Sequence, residues 1–121
     1  MSTVHQKLSV VIVLLALGGT LWAGYSAYHA RVGGRLLGLG RLTAVLIAVQ
    51  AVFGVILAAS GSRPPDPLHF VFGPALLFAL PVAEVLSRGR VPRSGALVLL
   101  FGWVIALVLG LRAVGTGGGL A

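Results

Sequence analysis

Four apolar stretches of 19 to 21 residues follow one another along the chain and are separated by short polar segments. They cover residues 8–28, 42–61, 68–86 and 96–114. A helix of that length rises about 30 Å, which matches the hydrocarbon core of a bilayer. Lipid offers no partners to backbone N–H and C=O groups, and four segments are too few to close a barrel. The pattern therefore predicts an all-α integral membrane four-helix bundle that forms one domain over residues 1–121.

The composition agrees with this prediction and excludes several classes of protein. Hydrophobic residues make up 58% of the chain and charged residues 9%, and the mean hydropathy is +1.06. A typical soluble domain has about 25% charged residues. Because the chain has no cysteine, it has no disulfide, thiolate metal site or iron–sulfur centre. Four-helix thiol oxidoreductases linked to quinones are thereby excluded.

The positive charges predict how the bundle lies in the membrane. Six of the nine basic residues follow the first and third spans: Arg31, Arg35, Arg41, Arg88, Arg90 and Arg93. By the positive-inside rule these segments are cytoplasmic, which predicts an up-down-up-down bundle with both termini outside. We expect the arginines to contact anionic lipid headgroups rather than nucleic acid. We also expect a multi-pass protein of the cell membrane, and of the inner membrane in a bacterium.

Two polar residues within the spans are candidates for function, since polar groups in lipid are costly. Gln50 lies near the middle of the second span and should face the bundle interior, either as an interhelical hydrogen-bond donor or as part of a site. Glu84 lies four residues before Arg88, a spacing that favours an ion pair over a proton-carrying role. Pro74 and Pro81 should bend the third span.

Small residues at four-residue spacing mark the expected contacts between helices. In the fourth span they are Gly102, Ala106 and Gly110, and in the first span they are Ala16, Thr20 and Gly24. These stripes predict close packing inside the bundle, or against a partner protein. They leave open whether the chain works alone, as a homo-oligomer or in a larger membrane complex.

The histidines offer the most specific chemistry in the chain. His5 precedes the first span by one turn and His69 begins the third, so in the predicted topology both lie at the same outer depth. Two imidazoles at matched depth on different helices of a bundle suit axial ligation of a haem iron. Phe70 and Phe72 would line an apolar pocket for the haem.

His5 and His69 also allow a second interpretation, in which neither histidine has a functional role. Both histidines would then be interfacial side chains with no ligand.

If haem is bound, its propionates would meet Lys7, Arg63 or Arg112 at the outer surface. His29 lies at the opposite end and is expected to be a surface residue.

The stretch from Leu42 to Leu80 resembles half of a haem A synthase. It contains Gln50, Gly54, the small pair Ser60-Gly61, a short loop and then His69. His5 opens the first helix at the place of the partner histidine, so the resemblance covers about residues 5–90. It implies a four-helix unit that binds haem through His5 and His69. Ser2 and Gln6 stand where the family has glutamate and arginine, and one half is present, so haem binding is implied rather than haem A synthesis.

Three classes of function remain, and the first is the main hypothesis. It is a small membrane protein, without enzymatic activity of its own, that binds haem b at His5 and His69 for electron transfer or haem handling, supported by Gln50, Arg63 and Glu84. The second is an accessory subunit of a respiratory or photosynthetic membrane complex. The third is a small dimeric transporter or channel, which is disfavoured because the first span has no acidic residue.

Overall fold

A computed structural model describes residues 2–61 and 66–117, which fold into four α-helices. They are α1 (Ser2–Tyr28), α2 (Gly34–Ala59), α3 (His69–Ser87) and α4 (Pro92–Thr116). No strand occurs in these two ranges. All four helices are long and apolar enough to cross a membrane. The prediction of an all-α fold with four helices that could span a membrane is confirmed.

Helix α2 differs most from its predicted bounds, because it begins at Gly34 rather than at residue 42. Hydropathy marks the part of a helix that suits hydrocarbon, whereas the helix continues as long as its backbone bonds and packing are satisfied. Leu36, 1% exposed, lies in the hydrophobic core although it precedes the predicted span. Arg35 and Arg41 are consequently on α2 and not in a loop, and the link from α1 is reduced to residues 29–33.

The other helix ends follow local rules. Ala30 adopts a left-handed backbone conformation (φ 53°) just after α1. Pro92 occupies the first turn of α4, where a missing N–H costs nothing. Before α3, the Asp66 carboxylate accepts a hydrogen bond from the Leu68 N–H at 2.9 Å. Asp66 therefore closes the turn before α3, which begins one residue after the predicted span 68–86.

Helix α4 is the best-buried element of the bundle. It packs closely against α1 and α3, whereas α2 packs less extensively against the same two helices. The predicted small-residue stripe Gly102, Ala106 and Gly110 is buried. A Cβ at Gly102 would collide with Ala83 of α3, so this glycine sets the approach of the two helices.

On α1 the predicted stripe Ala16, Thr20 and Gly24 is fully buried at Ala16. Thr20 and Gly24 are half-buried, and the other buried positions of α1 are Ile12, Gly19, Ala23, Ser26 and Ala27. The indole of Trp103, 1% exposed, packs directly on Gly19. The large ring selects the flattest part of α1, and spacing alone did not reveal which glycine that would be.

Outward-facing side chains are largely apolar along all four helices. Leu21 and Val55 are each 69% exposed, and Phe101 is 67% exposed. Large apolar surfaces of this kind are unusual on soluble monomers. They suit a lipid environment, where no hydrophobic force drives such side chains inward.

Candidate functional site

His5 and His69 meet at one end of the bundle, although they belong to helices that are not packed against each other. Helices α1 and α3 lie diagonally across the bundle, separated by α2 and α4. The two ring centroids are 6.1 Å apart and the ring planes are inclined by 73°. We call this end the histidine end and the group His5, Ser9, Gln50, His69 and Thr116 the histidine cluster.

Helix α2 supports the His5 side of the cluster through two residues one turn apart. The Gln50 amide donates to the backbone carbonyl of His5 at 2.7 Å and to the Ser9 hydroxyl at 2.6 Å. The Ser9 hydroxyl in turn donates to the same His5 carbonyl at 2.9 Å. Gly54 lies beside the imidazole, where an added Cβ would be 3.4 Å from His5 Cε1. Gln50 and Gly54 therefore present a polar contact and a flat surface to the same histidine.

The end of α4 supports the His69 side. The His69 Nδ1–H donates to the backbone carbonyl of Ala113 at 2.7 Å, and the Thr116 hydroxyl lies 3.4 Å from the same nitrogen. Thr116 is buried and donates to the Arg112 carbonyl at 2.9 Å. A carbonyl that accepts from Nδ1–H fixes the tautomer and leaves the Nε2 lone pair free.

Two buried side-chain atoms lack a hydrogen-bond partner in residues 2–61 and 66–117, and both belong to the histidine cluster. They are His5 Nδ1 and Gln50 Oε1. Buried polar atoms are normally paired, and those that are not often mark a functional site or an unseen ligand. In the described residues, the buried side-chain atoms without a hydrogen-bond partner therefore all lie in the histidine cluster.

The possible metal ligands at the histidine end are the two imidazoles of His5 and His69. Within the described ranges no group of three or more His, Cys, Asp or Glu side chains comes together, whereas structural zinc sites use four protein ligands and catalytic ones three. A haem iron needs only axial ligands from the protein. Metal–nitrogen bonds of about 2.0–2.1 Å hold two facing imidazole centroids roughly 6 Å apart. The observed centroid separation of 6.1 Å is close to that value, with the two rings in an edge-on arrangement.

The surroundings of the histidine cluster combine aromatic and basic residues. The Phe70 ring lies edge-on to His69 with 6.5 Å between the centroids. Phe72 is half-buried, and Lys7 and Arg112 are exposed at this end. Arg63, the third residue expected near the propionates, lies outside the described residues.

Glu84 is at the opposite end and takes no part in the histidine cluster. Its carboxylate pairs with Arg88 at 3.2 Å, as the spacing predicts, and with Arg41 of α2 at 2.9 Å. The Arg41 contact was not predicted, because it joins residues 43 apart on two helices. His29 is exposed there, packed against Tyr25 with ring centroids 4.3 Å apart. We call this the arginine end.

The sequence did not point to three residues at this end of α4: Ala113 and Thr116 in its last turn, and Gly117 directly after it. A Cβ at Gly117 would lie 2.9 Å from His69 Cε1. A backbone carbonyl and a glycine carry no sequence signal for a site. Thr116 carried a weak one, as a lone hydroxyl next to a glycine-rich stretch.

Comparison with known proteins gives no further information on this site. The chain matches no protein-family model, no curated protein and no solved structure.

Proposed function

We propose that the four helices cross the cell membrane in up-down-up-down order with both termini outside. In a bacterium this would be the inner membrane. Two contacts support this order: the start of α1 contacts the second half of α2 at Gln50, and the start of α3 contacts the last turn of α4 at Ala113. The six arginines that follow α1 and α3 in the sequence support a cytoplasmic arginine end. Their guanidinium groups would meet anionic headgroups.

Within that membrane, we propose that the protein binds haem b with His5 and His69 as axial ligands. The observation that carries this proposal is the 6.1 Å separation of the two imidazole centroids across the bundle. It comes with a carbonyl that orients His69 and with an unpaired buried nitrogen on His5. A bound haem would supply a reversible one-electron change at the outer side of the membrane.

The protein's own residues would hold and tune that group. The Ala113 carbonyl fixes the His69 tautomer and makes the imidazole more basic, which strengthens it as a metal ligand. Gln50 and Ser9 hold the α1 backbone at His5, which sets the position of its ring. Lys7 and Arg112 provide positive charge for carboxylates at the surface. These roles are positioning and charge neutralisation, and they suit electron transfer or haem handling without a catalytic residue.

The experiment is to purify the protein in mild detergent, with haem supplied during expression, and to record its absorption spectrum. We expect a Soret band with about one haem per chain, lost in both His5→Ala and His69→Ala. His29→Ala is the matched control, since it removes an exposed histidine at the other end. A colourless wild-type protein that retains the mobility of a folded bundle contradicts the proposal.

The same preparation separates the two other classes of function. A colourless chain that copurifies in fixed ratio with a larger complex indicates an accessory subunit. Flux in reconstituted vesicles that is lost in Glu84→Gln indicates a transporter.

A further inference from the structure

A trough with a basic mouth and an apolar floor runs between α2 and α3 at the arginine end. Two adjoining cavities of about 240 and 200 Å³ form it, and both are lined by Leu37, Arg41, Glu84 and Arg88. Small-molecule sites typically occupy about 300–1,000 Å³, so each cavity alone is smaller than such a site. We call this feature the arginine trough.

The mouth of the arginine trough is positively charged. Arg41, Arg88 and Arg90 line it, and Glu84 is its acidic member. Arg90 is held by bonds to the Leu86 carbonyl at 2.7 Å and the Ser94 hydroxyl at 3.2 Å. Arg41 and Arg88 each share the Glu84 carboxylate and remain two-thirds exposed, with side chains 66% accessible. Three guanidinium groups against one carboxylate leave a net positive site with free donors.

The floor of the trough is lined by apolar residues, several of which are small. Gly40 and Ala44 of α2 face Pro81 of α3, and Trp103 of α4 forms the base. A Cβ at Gly40 would lie 3.7 Å from Trp103, so only a glycine's surface covers the indole there. The looser packing of α2 keeps this space open along the helices.

We propose that the arginine trough binds one anionic phospholipid, with its phosphate at Arg41 and Arg88 and part of an acyl chain along Gly40, Ala44 and Pro81. Charge complementarity favours an anionic headgroup over a zwitterionic one. The continuous apolar floor favours a ligand that carries a chain over a free anion. The proposal rests on the proposed membrane placement and is independent of the haem. It differs from general headgroup attraction because it assigns one lipid to one place.

Native mass spectrometry of the full chain in detergent tests this proposal. Phosphatidylglycerol and phosphatidylcholine with the same acyl chains are added in turn, and the fraction that carries one lipid is measured. We expect one retained phosphatidylglycerol and little phosphatidylcholine. In Arg41→Gln/Arg88→Gln, retention should fall roughly 30-fold, since each arginine at an anionic surface contributes about 1 kcal/mol.

The matched control is Arg35→Gln/Arg93→Gln, which removes the same charge from the same end but from residues that do not line the trough. General attraction predicts an equal fall in both double variants, and that result overturns the proposal. Ala44→Leu keeps every arginine and narrows the floor. It should lower retention of the long-chain lipid, and unchanged retention overturns the assigned chain position.

Glycerol phosphate, which lacks acyl chains, completes the test. Binding as tight as that of the intact lipid shows a free-anion site and overturns the proposal. Failure of the membrane placement itself is seen earlier, as release of the protein from cells without detergent. Failure of the haem proposal is seen as a missing Soret band and leaves the lipid measurement unchanged.

Discussion

The backbone of Gly117 and the imidazole of His69 occupy adjoining space at the end of α4. A Cβ placed on Gly117 would lie 2.9 Å from His69 Cε1, 3.0 Å from its Nδ1 and 3.0 Å from the Ala113 carbonyl that this nitrogen donates to. Contacts of that length require something to shift. Gly117, the residue directly after α4, therefore limits where the His69 ring can lie.

Replacing Gly117 by valine should displace His69 from Ala113 and weaken haem retention. The added side chain competes with the ring for the same space and breaks the bond that fixes its tautomer. The measurement is haem content per chain after gel filtration. Gly115→Val is the matched control, because nothing lies within 4 Å of a Cβ at that position. Equal haem content in the two variants would show that Gly117 does not govern the His69 position.

Replacing Gln50 by leucine should destabilise the bundle and disturb His5. The His5 carbonyl and the Ser9 hydroxyl would lose the amide that joins α2 to α1. Interhelical hydrogen bonds in membranes average about 0.6 kcal/mol with a maximum near 1.7, so a loss of about 1 kcal/mol is expected in detergent unfolding. The control is Gln6→Leu, which changes an exposed glutamine one residue from His5. A similar loss in the control would contradict the assigned role.

Replacing Gly19 by alanine should destabilise the bundle by about 1–3 kcal/mol, the usual cost of overpacking a core. The new methyl group would collide with the buried indole of Trp103. Gly18→Ala is an adjacent control that meets nothing within 4 Å. Thermal unfolding in detergent compares the two. Unchanged stability of Gly19→Ala would mean that Trp103 does not pack on α1 in this way.

Replacing Glu84 by glutamine should have a small effect that depends on salt. Exposed ion pairs contribute about 0.2–1 kcal/mol and are screened as ionic strength rises. We expect slightly lower stability at low salt, no difference from wild type near 1 M salt, and an unchanged haem content. Loss of haem in this variant would contradict the separation of the two ends of the bundle.

Sequence reasoning gave the fold because hydropathy and length determine helices in lipid. It gave less about how each helix is rotated, since Gly19, which contacts Trp103, was not part of the predicted α1 stripe. Spacing within one helix states which residues share a face, but the partner's side chains decide which face is used. The same limit hid the Arg41–Glu84 pair.

The histidine cluster was predictable in part. Depth along the helices suggested that His5 and His69 share one end, and Gln50 was expected to face inward. The Ala113 carbonyl and Gly117 were not predictable, because their roles depend on the register of α4 against α3. Backbone groups and glycines act through position, and position is fixed by packing of the whole bundle.

The central claim, axial ligation by His5 and His69, is tested most directly by electron paramagnetic resonance of the ferric protein. Two imidazole ligands predict a low-spin signal in wild type and in His29→Ala, converted to high spin or lost in His69→Ala and His5→Ala. A low-spin signal that survives both substitutions, or no haem in a folded wild-type protein, would contradict the account.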